Sequence, residues 1–297
     1  MHKNQKVAVL MATYNGERYI EAQLVSILYQ LQVSIEIFVS DDLSNDRTQY
    51  LLHEFAKKND NIHLVSLKDK FGSAGRNFFN LIKNVDLEGY DFVAFSDQDD
   101  IWFPNKLISS IEEMESTNSS GYSSDTIGFW LDKKSVNIIK KSFPQKKFDH
   151  WFESPGPGCS QVFSGESFKI FQKFVIDNYS DVIRIDYHDW FAYAFFRING
   201  FRWLISEHPR MLYVQHGGNQ FGANSGLRAI KNRLSLAAIK WHMTQVTMIA
   251  NLLDQRVDSF LSVTFLFKNV FKLRRRKSHS LALVILYLLV KIKNFKT

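Results

Sequence analysis

The sequence predicts an α/β fold with a doubly wound sheet and a helical C-terminal part. Three observations carry this: apolar runs alternate with helix-periodic segments up to residue 106, polar clusters follow directly on three of those runs, and strand alternation is missing from residue 227 onward. A chain of 297 residues is long enough for one large α/β core with an appendage.

Residues 7–12 are a short apolar run and predict the first strand, followed by the turn Thr13-Tyr14-Asn15-Gly16. Ile20, Leu24, Ile27, Leu28 and Leu31 then recur at helical spacing. A second strand over 35–39 ends in Ser40-Asp41-Asp42. A helix over 47–58, a third strand over 62–67 and a helix over 77–85 come next. The fourth strand, 92–95, ends in Ser96-Asp97-Gln98-Asp99-Asp100. Strands separated by helices are βαβ units, and in such a sheet the strand carboxyl ends line a common crevice. The three polar clusters are therefore predicted to converge on one mouth.

Beyond Lys106 the pattern loosens. Residues 116–124 are rich in Ser and Gly and read as a loop. Pro155-Gly156-Pro157-Gly158 is a stiff turn, 187–196 an aromatic helix, and 211–214 a late strand. Hydrophobic residues at 45% and charged residues at 23% fit a globular chain rather than a disordered one. The net charge of +7 points to anionic partners, and nine lysines and arginines between Lys268 and Lys296, with no carboxylate among them, put it in the tail. Cys159 is the single cysteine, so no intrachain disulfide exists and a reducing compartment is compatible. The polar start, without an apolar signal core, leads to an expectation of cytoplasmic placement.

Asp97-Gln98-Asp99-Asp100 holds three carboxylates in four residues. Carboxylates are hard ligands suited to Mg²⁺ or Mn²⁺, ions that bridge nucleotide phosphates. The alternative is that Asp97 and Asp100 turn the chain or cap the helix after Pro104. Asn15 and Asp46 each precede a helical run and fit helix N-caps as well. Asp186 and Asp189 fit the dipole of an aromatic helix. Cys159 reads as a small buried residue rather than a nucleophile.

Met11-Ala12-Thr13-Tyr14-Asn15-Gly16, Ser40-Asp41-Asp42-Leu43-Ser44-Asn45-Asp46-Arg47-Thr48 and Asp97-Gln98-Asp99-Asp100-Ile101-Trp102 give the chain a specific resemblance. Over residues 5–225 it resembles the family 2 glycosyltransferases of GT-A fold, an inverting group. Through Phe71-Gly72-Ser73-Ala74-Gly75-Arg76-Asn77-Phe78 and Tyr213-Val214-Gln215-His216-Gly217-Gly218-Asn219 it is most similar to rhamnosyltransferase-like members that build bacterial surface polysaccharides.

The resemblance implies a Rossmann-like GT-A domain with a mixed central sheet over 1–225, split into a nucleotide-binding half (1–106) and an acceptor half (107–225). A helical, basic region over 226–297 follows. The implied donor is a nucleotide sugar, with rhamnose on deoxythymidine diphosphate favoured, and the implied acceptor is a saccharide, most naturally lipid-linked. Asp42 would contact the base and Tyr14 stack beside it, with Ala12, Asn15, Glu17 and Arg76 also on the donor. Asp97 and Gln98 would lie near the ribose or diphosphate. Asp99 would hold Mn²⁺ or Mg²⁺, and His216, in a late loop over the donor, would reach metal or phosphate. Asp189 would be the general base, with Trp190 and His188 on the acceptor, and residues 155–160 would floor the sugar site.

The tail has apolar stretches around Arg274-Arg275-Arg276-Lys277, and residues 281–290 form an apolar run well short of the ~20 residues of a spanning helix. The expectation is an interfacial helix on the anionic inner face of the cell membrane, with a helical cap as the alternative. A nucleotidyltransferase would show a Gly-rich basic phosphate loop after the first strand, where this chain has Glu17. A nucleic-acid module is disfavoured by aliphatic rather than stacking residues between the basic ones, so no nucleic-acid partner is expected.

Overall fold

A computed structural model describes residues 4–216, 235–253 and 261–294. The chain divides into two units, Met1–Ser142 with Pro155–Gly218, and Phe143–Ser154 with Asn219–Thr297. Residues 143–154, expected in the acceptor half, thus belong with the C-terminal helices.

In the first unit β1 (Gln5–Thr13), β2 (Val33–Asp41), β3 (Ile62–Leu64) and β4 (Phe92–Ser96) alternate with α1 (Ile20–Leu28), α2 (Thr48–Lys58) and α3 (Ala74–Asn84). β1 lies between β2 and β4 and is parallel to both, with Met11 opposite Val39 on one side and Ser96 on the other. Seven of its nine residues are buried, which is why it reads as an unbroken apolar run instead of an alternating one. The parallel register also brings the segments after Thr13, Asp41 and Ser96 to the same edge of the sheet.

The chain continues through β5 (Ile101–Trp102), α4 (Lys106–Ser116), β6 (Gly121–Ser124), β7 (Thr126–Trp130) and β8 (Ser135–Ile139). The short helix α5 (Asp149–Phe152) lies in the second unit. Back in the first unit come β9 (Val162–Ser164), α6 (Gly165–Asp177), α7 (Tyr179–Val182), α8 (His188–Ile198), β10 (Trp203–Ser206) and β11 (Met211–Gln215). The main sheet runs β10-β6-β9-β4-β1-β2-β3, and β9 is antiparallel to both β4 and β6, so the sheet is mixed. A smaller sheet runs β5-β11-β7-β8.

The expected loop over 116–124 is corrected, because Gly121–Ser124 is a buried strand of the main sheet. Trp203 supports it from the neighbouring strand: Nε1 donates to Ser123 Oγ at 3.1 Å, and the ring covers Gly121 so closely that a Cβ there would lie 2.3 Å from it. Behind the sheet, Phe78 of α3, Phe171 of α6 and Phe191 and Phe196 of α8 form an aromatic core with Phe95 and Phe163. Much of the chain's phenylalanine is therefore internal.

The second unit contains α5, α9 (Leu236–Leu252), α10 (Val263–Lys268) and α11 (Lys277–Asn294). Ser235 and Ser262 cap α9 and α10, each hydroxyl accepting a backbone N–H three residues on, from Ala238 at 3.2 Å and Phe265 at 3.1 Å. His242 joins three segments: Nδ1 is 2.6 Å from the Tyr287 hydroxyl and Nε2 3.1 Å from the Phe152 carbonyl. Arg275 is buried, with its guanidinium 3.5 Å from Asp149 and 2.6 Å from the Ser154 carbonyl, while its N–H donates to Glu153. Arg274 reaches the other Glu153 oxygen at 3.4 Å. Two arginines of the basic cluster are thus internal ion-pair partners. No helix among the described residues is long and apolar enough to cross a membrane.

Candidate active site

The turns after β1 and β2 are laced together. Asn15 sits at φ 48°, a left-handed conformation that asparagine tolerates. Its N–H donates to Ser44 Oγ at 2.8 Å, and its side-chain oxygen accepts from the Asn45 N–H at 2.9 Å. Glu17 accepts from the Arg47 N–H at 2.9 Å, just ahead of α2, and its own N–H returns to Asp46 at 3.1 Å. Asp46 takes the Thr48 N–H at 3.0 Å; burial works against its charge, but the bonds from Thr48 and Glu17 hold its carboxyl below the usual range. Asn15 and Glu17, expected on the donor, therefore have side chains engaged in building the turn.

Gln98 is likewise engaged. Its Oε1 accepts from the Tyr14 N–H at 2.6 Å and its Nε2 donates to the Tyr14 carbonyl at 2.9 Å. The amide clasps both backbone groups of one residue, as a neighbouring strand would. It also lies against Gly16, where a Cβ would stand 2.5 Å from Oε1. Gln98, expected near the ribose or diphosphate, thus forms a clasp joining the acidic motif to the Tyr14 turn.

Tyr14 is 40% exposed, with Lys70 Nζ over its ring at 3.9 Å from the centroid and 2.6 Å from the hydroxyl. Buried Asp42 accepts the Phe71 N–H at 2.5 Å and the Gly72 N–H at 2.7 Å, one on each carboxylate oxygen. Gly72 has φ +67°, the left-handed region that favours glycine. Asp42 in this form thus ties down the 71–72 loop. Ala12 is buried near the end of β1, and Arg76 is exposed in the first turn of α3.

The acidic motif is less well paired. Burial foremost, then the charges of Asp99 and Asp189, pushes the Asp97 carboxyl up to about 7, against a hydrogen bond with Cys159. Burial also holds Asp100 well above the carboxylate range. One Asp100 oxygen accepts the Val214 N–H at 3.2 Å, and the other is buried without a hydrogen-bond partner. Asp99 Oδ2 lies 2.8 Å from His216 Nε2, and the His216 ring stacks on Tyr19 with centroids 4.2 Å apart. Asp99 and His216, expected as metal ligands, are thus side by side, although 117 residues separate them. Gly217, Gly218 and Asn219 of the same motif lie outside the described residues.

Among the described residues, Asp97, Asp100 and Cys159 also bring potential ligand atoms within 4.8 Å of one another. Burial pushes the Cys159 thiol up, which keeps it protonated and unsuited to a hard ion. Lys106 escaped the sequence reading. It is buried at the start of α4, its Nζ 3.5 Å from the Trp102 ring centroid and without a hydrogen-bond partner, and burial pushes it down to about 7. The available signal was its place on the apolar face with Leu107, Ile111 and Met114.

Asp189 stands in the first turn of α8, 9% exposed, near enough for its charge to act on Asp97. Gly158 packs against this turn, and a Cβ there would lie 2.8 Å from His188 Nε2 and 3.3 Å from the Asp189 Cβ. Only glycine lets the loop approach so closely. His188, expected on the acceptor, stacks its ring on Phe78 at 3.7 Å in the aromatic core, and burial pushes it down to about 3, so in this form it is a neutral core residue. Trp190 is 4% exposed, and its face is not open to a sugar.

The chain is similar to known proteins in sequence and in fold. The family model described as Glycosyl transferase family 2 matches residues 8–175. The chain is 41% identical over 287 residues to the dTDP-rhamnosyl transferase RfbG of Shigella flexneri, covering 94% of this chain and 99% of that one. It is 35% identical over 116 residues to the Escherichia coli UDP-Glc:alpha-D-GlcNAc-diphosphoundecaprenol beta-1,3-glucosyltransferase WfgD, covering 38% of this chain and 43% of that protein. Among solved structures, S. aureus TarS 1-349 in complex with UDP-GlcNAc matches with a TM-score of 0.55 at 15% identity, over 98% of this chain and 92% of that one. The mannosyltransferase PcManGT of Pyrobaculum calidifontis, in complex with GDP-Man and Mn2+, matches at 0.53 and 14%, over 99% and 88%. The fold is that of GT-A glycosyltransferases, and the chain belongs to glycosyl transferase family 2.

Proposed function

We propose that the protein transfers rhamnose from dTDP-rhamnose, with inversion, to a lipid-linked saccharide in cell-surface polysaccharide synthesis, working at the cytoplasmic face of the membrane. The observation that carries the reading is the meeting of Asp97, Asp99 with His216, and Asp189 within electrostatic reach at one edge of the sheet. The similarity to RfbG along nearly the whole chain supports the sugar and the base.

Asp189 takes the proton of the acceptor hydroxyl as its oxygen attacks the anomeric carbon. The new C–O bond forms as the bond to the diphosphate oxygen breaks, and the electron pair leaves with the nucleoside diphosphate. The exposed Tyr14 ring offers a stacking face for the base, fixed by the Gln98 clasp. Asp42 would exchange its loop amides for the base N–H, and Arg76, exposed nearby in sequence, would face the diphosphate. The donors present fit a divalent ion: Asp99 and His216 are adjacent, and hard carboxylate oxygens dominate the motif. Asp99 and His216 would hold Mn²⁺ or Mg²⁺, which when bound supplies Lewis-acid neutralisation of the leaving diphosphate.

The test is nucleoside diphosphate release from dTDP-rhamnose and a panel of UDP- and GDP-sugars, with a lipid-linked acceptor extract and either Mn²⁺ or EDTA. Release from dTDP-rhamnose alone, abolished by EDTA, is the expected outcome. Turnover of a UDP-sugar instead would reassign the donor, and no turnover of any donor would sink the reading.

A further inference from the structure

Helix α11 is apolar on both sides. Leu283, Val284, Tyr287 and Val290 are buried, whereas Leu281, Ile285 and Leu289 are about half exposed, at 47%, 49% and 50%. Those three fall at i, i+4 and i+8 and so form one stripe along the helix. A second exposed apolar group precedes it: Val263 and Phe267, one turn apart on α10, and Phe271 just beyond. A helix apolar all round is normally covered by something, and contiguous exposed apolar surface marks an interaction face.

The charge around these stripes selects the cover. Lys268, Lys272, Arg276 and Lys277 are exposed in the same stretch, and no Asp or Glu occurs after Asp258. A second copy laid on this surface would bring like charges together, which is costly. An anionic bilayer meets both demands, accepting the apolar side chains into its acyl boundary and the cations among its phosphates.

We propose that the exposed faces of α10 and α11 dock in the plane of an anionic lipid bilayer. Leu281, Ile285, Leu289 and Phe267 enter the acyl boundary, and Lys268, Lys272, Arg276 and Lys277 rest at headgroup level. Arg275 takes no part, because its guanidinium is held inside the unit by Asp149 and Ser154. This deepens the membrane element of the reading above and is independent of the transfer chemistry.

The experiment is co-sedimentation of the full chain with vesicles of phosphatidylcholine alone or mixed with phosphatidylglycerol. Binding to the mixed vesicles is expected, weakened about tenfold or more by Ile285→Ser with Leu289→Ser and strengthened by Ile285→Trp. Lys272→Gln with Lys277→Gln should weaken binding to the anionic vesicles specifically. All these positions are exposed, and an unchanged thermal melt shows that each variant folds. Failure of the wild type to bind either vesicle would overturn the proposal. So would wild-type binding by the serine variant, or a solution dimer that the same substitutions dissociate. Donor turnover with a short-chain, soluble acceptor separates the two readings: vesicle binding without turnover keeps this proposal and removes the transfer reading, and turnover without vesicle binding does the reverse.

Discussion

The laced turns after β1 and β2 and the acidic motif after β4 lie at one edge of the same sheet, yet they treat their polar groups in opposite ways. In the turns, Asn15, Glu17 and Asp46 are matched to backbone partners, and Gln98 alone of the motif joins them by clasping the Tyr14 backbone. In the rest of the motif, an Asp100 oxygen is buried without a hydrogen bond and Asp97 is pushed up to about 7, while Lys106 at the start of α4 is likewise buried without a hydrogen-bond partner. A buried polar group without a partner is costly unless something else supplies one. On the proposed function, the difference separates scaffold from chemistry among residues that look equally fit for ligands in the sequence.

Substitutions on the two sides should therefore differ in size and in kind. The largest effect is expected from Asp189→Asn, which keeps the shape but removes the base: kcat should fall about 10³-fold with the donor KM nearly unchanged, measured by steady-state release of diphosphate. A loss confined to KM would reassign Asp189 to binding. Asp99→Ala should cost about 10²-fold in kcat and raise the Mn²⁺ concentration needed for half activity. An unaltered metal requirement would remove Asp99 from the metal site.

On the scaffold side, Gln98→Ala loses two hydrogen bonds, and KM for the donor should rise roughly tenfold while kcat holds within a few-fold. Gly16→Ala, which crowds the same amide, should do the same. If kcat falls and KM does not, Gln98 belongs with the chemistry and the contrast fails.

The smallest effect is one of pH. Because Asp97 is raised from 3.8 to about 7, the folded form holds a proton that the unfolded chain has lost. Its contribution to stability is full below 3.8 and disappears as pH rises through about 7. Thermal melts of metal-free protein should fall over that window, less so in Asp97→Asn, and Mn²⁺ should stabilise more at high pH than at low. A melt insensitive to pH over the window would show that Asp97 is ionised throughout.

The framework was legible because β1 and β4 are buried strands parallel to each other, β2 is a half-buried one beside β1, and their apolar runs end in the polar clusters that the register brings together. Asp99 and His216 were legible as residue types, and the fold supplies the meeting across 117 positions. The roles of Gln98 and Glu17 were not legible, since their partners lie 84 and 30 residues away and leave no local mark. β6 was missed because Gly-Tyr-Ser-Ser carries no apolar alternation, and its burial depends on Trp203. Trp190 and His188 were expected on the acceptor through the family resemblance, and the sequence carries no mark of their burial, since aromatic rings fill a core as readily as they line a site.

The buried Arg275 with Asp149 and Glu153 bears on how the protein can be shortened. The polypeptide leaves the first unit after Ser142 and returns to it at Pro155, three residues before Gly158, which packs on Asp189. Cutting the chain before Arg274 would strand two carboxylates in the middle of that excursion along with the tail's apolar surface. A truncated enzyme would thus carry two lesions at once, and a weak transferase made in this way would say little about lipid contact. Point changes on the outer face of α11 remove one without the other.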